Sequence, residues 1–303
     1  MNHKILISVL NYNNFEATKK CVLSILKYLN NSEQIYIVDN NSPDDSYLKL
    51  KETFKNIKVV KSNFNGGYAA GHKIAVEYAL KNNFELIWIL NNDLIVRKNT
   101  LSELKSAYLK HGLGLYGSIT LKSENPDVVN FGGGKPDDIS KPLDYNAYEN
   151  ISLEEYNNQT EFRAVQSIEG SSFIVPIKVI KKYGFMREDF FMYGEETDYC
   201  YRLNKLGVKS YVVPGSIVIH KGGESLKEKK YLETYYRRRN FLYFEKTHHG
   251  KSIIKNIYQR VGITSFIKYF IMYILGFEKK DNNYYLNLAN LHALFNKKGK
   301  LKE

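Results

Sequence analysis

Four short apolar segments recur in the first third of the chain, and the first three each lead into a segment with the spacing of an amphipathic helix. Uninterrupted apolar, β-branched residues indicate strands buried on both faces, which is the usual situation in a parallel sheet. Right-handed strand–helix–strand crossovers build an open, doubly wound sheet. The alternation therefore predicts an α/β fold with a mostly parallel central sheet flanked by helices. The predicted strands are residues 4–10, 34–38, 57–61 and 85–90, and the predicted helices are residues 16–29, 46–54 and 72–81.

An amide or a carboxylate follows each of these predicted strands, namely Asn11, Asp39, Asn65 and Asp93. In open α/β sheets, ligands bind outside the carboxyl ends of the strands. One polar residue at a strand end is commonplace, whereas four in succession favour a binding crevice. We therefore predict a ligand site along this edge of the sheet.

A second feature is the stretch of residues 190–202. Three carboxylates, those of Glu195, Glu196 and Asp198, follow an aromatic cluster in the sequence and precede a helix-like segment that ends at Arg202. Carboxylates this close repel one another, so their clustering calls for a reason. One reason is a general base that deprotonates a hydroxyl near a cation. The alternative is an ordinary helix N-terminus, where acidic residues interact favourably with the helix dipole.

The size and composition are those of a globular protein: 303 residues, 43% of them hydrophobic and 25% charged. This length fits one large domain or a domain with an appendage. Cys21 and Cys200 lie far apart and are expected to be free thiols in a reducing compartment. No apolar stretch is long enough for a signal peptide or a membrane span, which favours a cytoplasmic protein.

The net charge of +12 is uneven, because residues 221–303 hold 18 Lys and Arg against 7 Asp and Glu, a net of +11. We therefore predict a division into residues 1–222 and a basic, aromatic, helical extension at 223–303. One interpretation of the extension is a membrane-interface anchor, in which Lys and Arg meet anionic lipid. The other is a helical subdomain that packs its aromatic residues into an ordinary core or a homodimer interface.

Taken in order, these motifs resemble the family 2 glycosyltransferases of the GT-A fold, most of all the bacterial branch with rhamnosyl- and galactofuranosyl-transferases. The resemblance covers about residues 5–246, and each motif is weak alone. The motifs are Asn11-Tyr12-Asn13, Val38-Asp39-Asn40-Asn41-Ser42, Asn65-Gly66-Gly67-Tyr68-Ala69-Ala70-Gly71, Leu90-Asn91-Asn92-Asp93, Glu169-Gly170-Ser171-Ser172, residues 190–202, and His220 with Gly222 and Ser225.

The resemblance implies that residues 1–222 are a catalytic domain that binds a nucleotide-sugar donor, linked to uridine or thymidine diphosphate, and an acceptor. Asp39 would accept a hydrogen bond from the base or the ribose. The glycine-rich loop at Gly67 would let the backbone approach the nucleotide, and the next helix N-terminus favours anions; the alternative is a plain turn. Further donor contacts are implied for Asn11, Asn65, Lys73, Asn91 and Asn92, although the family usually has Asn where Lys73 stands.

The resemblance also implies a divalent cation, either Mn²⁺ or Mg²⁺. Asp93 occupies the last position of the family's Asp-x-Asp signature, whose first aspartate is replaced here by Asn91. A single carboxylate is sufficient in principle, since Mg²⁺ often binds one or two carboxylates together with substrate phosphates and waters. His220 is implied as a further ligand, and imidazole suits Mn²⁺ better than Mg²⁺. The alternative for His220 is a purely structural role.

For catalysis, the resemblance implies inversion at the anomeric carbon with Glu196 as the general base and with Glu195 and Asp198 as supporting residues. Asp198 is expected to pair with Arg202. The implied acceptor is a lipid-linked or polysaccharide glycan precursor, which suits an enzyme on the inner membrane face. Trp88 is the sole tryptophan, so the Gln/Arg-x-x-Arg-Trp motif of processive synthases is absent and one sugar per encounter is expected. The rival interpretations are a sugar nucleotidyltransferase and a non-catalytic binder of membranes or nucleic acid through the basic tail.

Overall fold

The computed structural model describes residues 3–133, 148–159, 162–221, 230–275 and 281–301. The chain forms two compact units. The first, here called the sheet unit, comprises Met1–Met186 and Glu196–Ser225, and the second, called the helical unit, comprises Arg187–Glu195 and Leu226–Glu303.

The sheet unit is built on one ten-stranded sheet with the order β3-β2-β1-β4-β9-β6-β10-β5, in which β7 pairs with β6 and β8 with β10. The strands are β1 (Ile5–Asn11), β2 (Glu33–Asp39), β3 (Lys58–Lys61), β4 (Leu86–Asn91), β5 (Leu94–Val96), β6 (Gly114–Lys122), β7 (Val129–Phe131), β8 (Arg163–Val165), β9 (Ser172–Pro176) and β10 (Lys209–His220).

Among the residues that the structure describes, seven helices accompany these strands. They are α1 (Phe15–Leu26), α2 (Ser46–Thr53), α3 (Tyr68–Lys81), α4 (Thr100–His111), α5 (Leu153–Gln159), α6 (Ile177–Tyr183) and α7 (Glu195–Lys205), the last of which belongs to the sheet unit from Glu196 onward.

Both faces of the sheet are buried, as the unbroken apolar strands predict. Along β1, Leu6 packs on the face covered by α3, α6 and α7, whereas Ile7 and Val9 pack on the face covered by α1, α2 and α4. Successive side chains of a strand point to opposite faces, so a strand buried on both sides must be apolar at every position. This two-sided core leaves the strand ends as the natural place for polar side chains.

The α/β class predicted from the sequence is confirmed, with one difference in the sheet. The four strands predicted from the apolar runs are parallel neighbours in the order β3-β2-β1-β4. Beyond β4 the sheet is mixed, because β9 runs antiparallel to both β4 and β6, and β5 runs antiparallel to β10. The pairing of β5 with β10 sets Leu94 opposite His220, so the turn after β4 lies beside the end of β10.

In its described residues, the helical unit contains four helices and the short segment Arg187–Glu195, which includes a 3-10 turn at Glu188–Phe190. One of its apolar clusters joins Phe191 to Tyr235, Tyr236 and Leu288. None of the helices in the described part of the chain is long and apolar enough to cross a lipid bilayer. The helices are α8 (Lys230–His249), α9 (Ile253–Val261), α10 (Ile263–Leu275) and α11 (Asn282–Leu294).

Several sequence predictions fall outside the described residues. They include Gly222, Ser225 and the functional division at residue 222. That division stays a prediction, while packing alone groups residues 187–195 with the C-terminal helices.

Candidate active site

Asp93 and His220 lie together at the strand-end edge of the sheet. The distance from His220 Nε2 to Asp93 Oδ1 is 3.2 Å, and both side chains are about nine-tenths buried. Asp93 occupies the turn between β4 and β5, and the backbone N–H of Lys221, just past β10, donates to the Asp93 carbonyl over 3.2 Å. The two residues predicted as cation ligands are thus brought side by side by the β5–β10 pairing.

Glu169 completes this cluster. Its Oε1 is 2.9 Å from His220 Nδ1, and its Oε2 accepts a hydrogen bond of 2.6 Å from the Thr120 hydroxyl on β6. Burial lowers the pKa of His220, but the carboxylates of Glu169 and Asp93 outweigh it and raise the pKa to about 10. The His220 ring thus lies between two carboxylates, which favour its protonated form.

Asp93 and His220 together offer one carboxylate and one imidazole, two of the groups that bind divalent cations in proteins. Asp93 Oδ1 is buried and has no hydrogen bond of good geometry, and His220 Nε2 lies 3.2 Å from it. Within the described ranges, no group of three or more His, Cys, Asp or Glu side chains could hold a metal ion unaided. A carboxylate and an imidazole fit a cation that takes its other ligands from substrate phosphates and water.

Glu196 lies next to this cluster through Gly170. A Cβ atom built on Gly170 would be 3.3 Å from Glu196 Cγ, so the glycine makes room for the Glu196 side chain. Gly170 follows Glu169 directly, and its carbonyl accepts a hydrogen bond from the Tyr68 hydroxyl at the start of α3. The structure thereby brings Glu196 to the same part of the sheet unit as Glu169 and His220.

The other two carboxylates of the acidic stretch are more deeply buried than Glu196. Asp198 is fully buried and accepts a hydrogen bond of 2.7 Å from Arg202 Nε, which confirms the predicted pair. Glu195 is 3% exposed and is the last residue of the helical-unit segment, whereas Glu196 is half-buried. Of the three, Glu196 has the side chain that solvent and ligands reach most easily.

Asp39 is the centre of a buried polar network at the ends of β1 and β2. Its Oδ2 accepts hydrogen bonds of 2.7 Å from Asn11 Nδ2 and from the Ser42 hydroxyl, and its Oδ1 accepts one of 2.9 Å from the Ser42 backbone. Asn11 continues the network by accepting from the Thr18 hydroxyl over 2.6 Å, and Asn92 Nδ2 donates to the same hydroxyl over 2.9 Å. Asp39 is fully buried, and both of its carboxylate oxygens accept hydrogen bonds within this network.

The glycine-rich loop has a defined structural role. Asn65 Oδ1 accepts hydrogen bonds of 3.1 Å from the Gly67 backbone and from Asn40 Nδ2, so the loop is tied to the end of β2. Gly67 has a φ of +88°, a conformation that favours glycine. A Cβ on Gly71 would lie 2.4 Å from Leu10 Cδ1, so this glycine lets α3 pack closely on β1.

The remaining predicted donor contacts lie at the same edge. Lys73 is exposed on α3, Asn91 is half-buried at the end of β4, and its backbone N–H donates to the Ser171 carbonyl over 2.9 Å. Sequence reasoning gave no role to Glu169, although its motif was recognised. An acidic residue just before Gly-Ser-Ser, between two predicted strands, was the available signal.

An α/β sheet with amides and carboxylates at its strand ends, and with a carboxylate–imidazole cluster on that edge, has the architecture of a nucleotide-sugar-binding GT-A domain. Residues 6–184 match the family described as "Glycosyl transferase family 2". This match covers more than half of the chain, and the chain belongs to that family.

One curated relative is the low-salt glycan biosynthesis hexosyltransferase Agl10 of Haloferax volcanii, which is 27% identical over 206 residues. The alignment covers 66% of this chain and 61% of the relative, which is less than two thirds of the relative's length. The predicted rhamnosyl- and galactofuranosyl-transferase branch stays a prediction.

Solved structures have the same fold. GalNAc-T7 with UDP, GalNAc and Mn²⁺ has a TM-score of 0.62 at 15% identity, covering 80% of this chain and 48% of that one. The mannosyltransferase PcManGT of Pyrobaculum calidifontis, in complex with GDP-Man and Mn²⁺, has a TM-score of 0.61 at 11% identity. The match covers 97% of this chain and 88% of that one. The structure of S. aureus TarS residues 1–349 has a TM-score of 0.52 at 12% identity. The match covers 97% of this chain and 92% of that one.

Proposed function

We propose that the chain is an inverting, metal-dependent glycosyltransferase that moves one sugar from a nucleotide-diphosphate donor to a hydroxyl of a surface-glycan precursor. The observation that carries this proposal is the 3.2 Å approach of Asp93 and His220 beside Glu169, with Glu196 packed against the adjacent Gly170. Together these residues offer a cation site and a carboxylate base within one unit.

In this proposal Asp93 and His220 hold a Mn²⁺ or Mg²⁺ ion. The bound ion would neutralise charge that develops on the departing nucleoside diphosphate. Glu169 would keep the His220 ring oriented through its contact with Nδ1, as partners of metal-binding histidines commonly do. His220 would release its proton from Nε2 when a cation binds, because only neutral imidazole is a ligand.

Glu196 is the proposed general base. Inversion requires the acceptor hydroxyl to attack from the side opposite the leaving group, and a positioned carboxylate must take its proton. Glu196 is half-buried, which leaves its side chain within reach of an acceptor. Asp198 supports α7 through Arg202, and Glu195 takes a supporting role.

The donor is proposed to be a uridine- or thymidine-diphosphate sugar. The Asn65–Gly67 loop, Lys73 and the Asn91-Asn92 turn would meet the nucleotide, since they surround the strand ends where such ligands bind. The two solved structures with TM-scores above 0.6 hold UDP or GDP-Man together with Mn²⁺, which supports a nucleotide and a divalent cation in general.

We also propose that α9 and α10 contact an anionic membrane surface, where a lipid-linked acceptor would be found. Each helix exposes two isoleucine or tyrosine side chains at i and i+4, namely Ile254 with Tyr258 and Ile267 with Ile271. The exposed residues Lys255 and Lys268 lie on the same two helices, as in helices that rest at a membrane interface.

The proposal is tested by donor hydrolysis with the full chain. UDP-glucose, UDP-galactose, dTDP-rhamnose and GDP-mannose would be incubated with and without Mn²⁺. We expect turnover of at least one donor, its dependence on Mn²⁺, and the loss of that dependent turnover in Asp93→Ala but not in the exposed control Asp127→Ala.

The same experiment separates the rival functions. A nucleotidyltransferase would instead consume a nucleoside triphosphate and a sugar phosphate. A binding protein would leave all four donors intact in the presence of Mn²⁺, and this result would contradict the proposal.

A further inference from the structure

The segment that leads into α7 has an unfavourable backbone conformation. Within the helical unit, Phe191 has a φ of +67°, Tyr193 of +66° and Gly194 of +89°. Positive φ is unusual and unfavourable for bulky aromatic residues. Such a conformation persists only where neighbouring groups hold it.

Asn240 of α8 is one of these groups. Its Nδ2 donates to the carbonyls of Phe190, Met192 and Tyr193, at 3.0, 2.8 and 2.7 Å. The side chain is buried, so removing the amide would take one hydrogen-bond donor from each of these carbonyls in a dry environment. A single side-chain amide therefore holds three backbone carbonyls of this short segment.

Arg239, which precedes Asn240, contacts the same segment and also Gly299. Its guanidinium donates to the Phe190 carbonyl over 2.7 Å and to the Gly299 carbonyl over 2.6 Å, and it lies 5.0 Å from the centre of the Tyr236 ring. Arg239 is 1% exposed, and its described contacts are to neutral groups. Burying a charge in this way is costly, so a guanidinium in such a place is expected to have a specific task.

The start of the segment is also anchored. Asp189 accepts from Arg187 over 2.7 Å and pairs with Lys298 over 2.9 Å, and the Gly299 backbone donates to the Asp189 carbonyl over 2.9 Å. The segment is therefore fixed from residue 187 to residue 194. The next residue, Glu195, begins α7, and Glu196 follows it.

We propose that Arg239 and Asn240 are positioning residues for the general base: they hold residues 190–194 in the strained conformation from which α7 presents Glu196. This inference rests on the base role proposed for Glu196. The contacts that carry it stay within the helical unit, because Glu195, the first residue of α7, belongs to the same unit as α8 and is covalently joined to Glu196.

The test is Asn240→Asp, which keeps the shape of the side chain but replaces two N–H donors by a carboxylate facing three carbonyls. We expect faster amide hydrogen exchange in the peptide of residues 187–196 and a kcat for donor turnover lowered by about 100-fold, since a misplacement of about 1 Å has effects of this size. KM for the donor should stay within about twofold. Asn240→Gln, which keeps the donors, should recover part of kcat.

The matched control is Asn287→Asp, a buried asparagine of α11 whose Nδ2 donates to the Asn283 carbonyl over 2.8 Å. This control should leave both the exchange of residues 187–196 and kcat near the wild-type values. Should Asn240→Asp fail to fold, Arg239→Lys serves instead, because it keeps the charge and loses one of the two carbonyl contacts.

Unchanged exchange in the 187–196 peptide would overturn the proposal, and so would faster exchange with an unchanged kcat. A parallel rise in donor KM would also overturn it, since it would indicate a general loss of structure. If the wild-type chain turns over no donor, the proposed function has failed, and the exchange experiment still decides whether Asn240 holds the segment.

Discussion

Buried charge has different partners in the two units. In the sheet unit, the His220 ring lies between the carboxylates of Asp93 and Glu169. In the helical unit, the guanidinium of Arg239 contacts backbone carbonyls and tyrosine rings. Both side chains are about nine-tenths buried or more, so the difference lies in the partners and not in the depth of burial.

The two sets of partners suit different roles for the histidine and the arginine. A histidine gives up its proton when a cation binds to its ring, because only the neutral imidazole is a ligand. Arginine stays protonated and offers five N–H donors in a rigid planar geometry, which suits the fixing of a backbone. The sheet-unit cluster is therefore suited to exchange ligands, and the helical-unit arginine to maintain shape.

The largest expected effect tests the chemistry of the sheet unit. Glu196→Gln removes the proposed base with almost no change in shape, and transfer should fall by about 1,000-fold, within the range measured for lost general-base catalysis. Binding of UDP, followed by calorimetry with Mn²⁺ present, should be nearly unchanged because the amide has the same size as the carboxylate and Glu196 is not a proposed contact of the nucleotide.

Glu195→Gln is the matched control for this change, because Glu195 lies next to Glu196 in the sequence but is only 3% exposed and belongs to the helical-unit segment. We expect a much smaller loss than for Glu196→Gln. A larger loss in Glu195→Gln would move the base role to Glu195 and would contradict the argument from accessibility.

The second effect tests whether the cluster is a ligand site. Glu169→Gln removes the carboxylate beside His220 Nδ1, and Mn²⁺ affinity should fall by about 10- to 100-fold, as is typical when the partner of a metal-binding histidine is lost. Calorimetric titration of Mn²⁺ in the presence of UDP measures this directly. The control Glu77→Gln, an exposed residue of α3, should leave the affinity unchanged, and equal affinities in the two variants would remove Glu169 from the site.

The sheet-unit edge could be predicted well from the sequence. Apolar runs locate the parallel strands, and the polar residues after them locate the edge, because both follow from local patterns. The meeting of Asp93 and His220 depends on β5, a three-residue strand too short to give a periodic signal. The antiparallel course of β9 and β5 was missed for the same reason, since pairing direction is decided by partners far away in sequence.

The helical unit was less predictable. The sequence places Arg238 and Arg239 within a basic stretch, which favoured an anionic surface partner, yet they are only 4% and 1% exposed. A charge count treats every basic residue as exposed, and only the packing of α8 against α11 decides which arginines are buried. The net +11 of residues 221–303 therefore overstates the charge that a membrane would meet.

The smallest expected effect concerns the part of the helical unit that stays exposed. The double variant Ile254→Glu, Ile267→Glu should lower binding to vesicles of phosphatidylcholine and phosphatidylglycerol by about 10-fold or more, because each isoleucine loses roughly 1.5–3 kcal/mol of apolar burial and gains a charge repelled by anionic lipid. Co-sedimentation measures the bound fraction, and added salt should weaken the wild-type binding as screening shortens the range of the lysine charges.

Leu48→Glu, at an exposed leucine of α2 in the sheet unit, is the matched control and should bind as the wild type does. Binding that ignored lipid charge, salt and both isoleucines would show that α9 and α10 face something other than an anionic bilayer, and the exposed side chains would then fit a protein interface better.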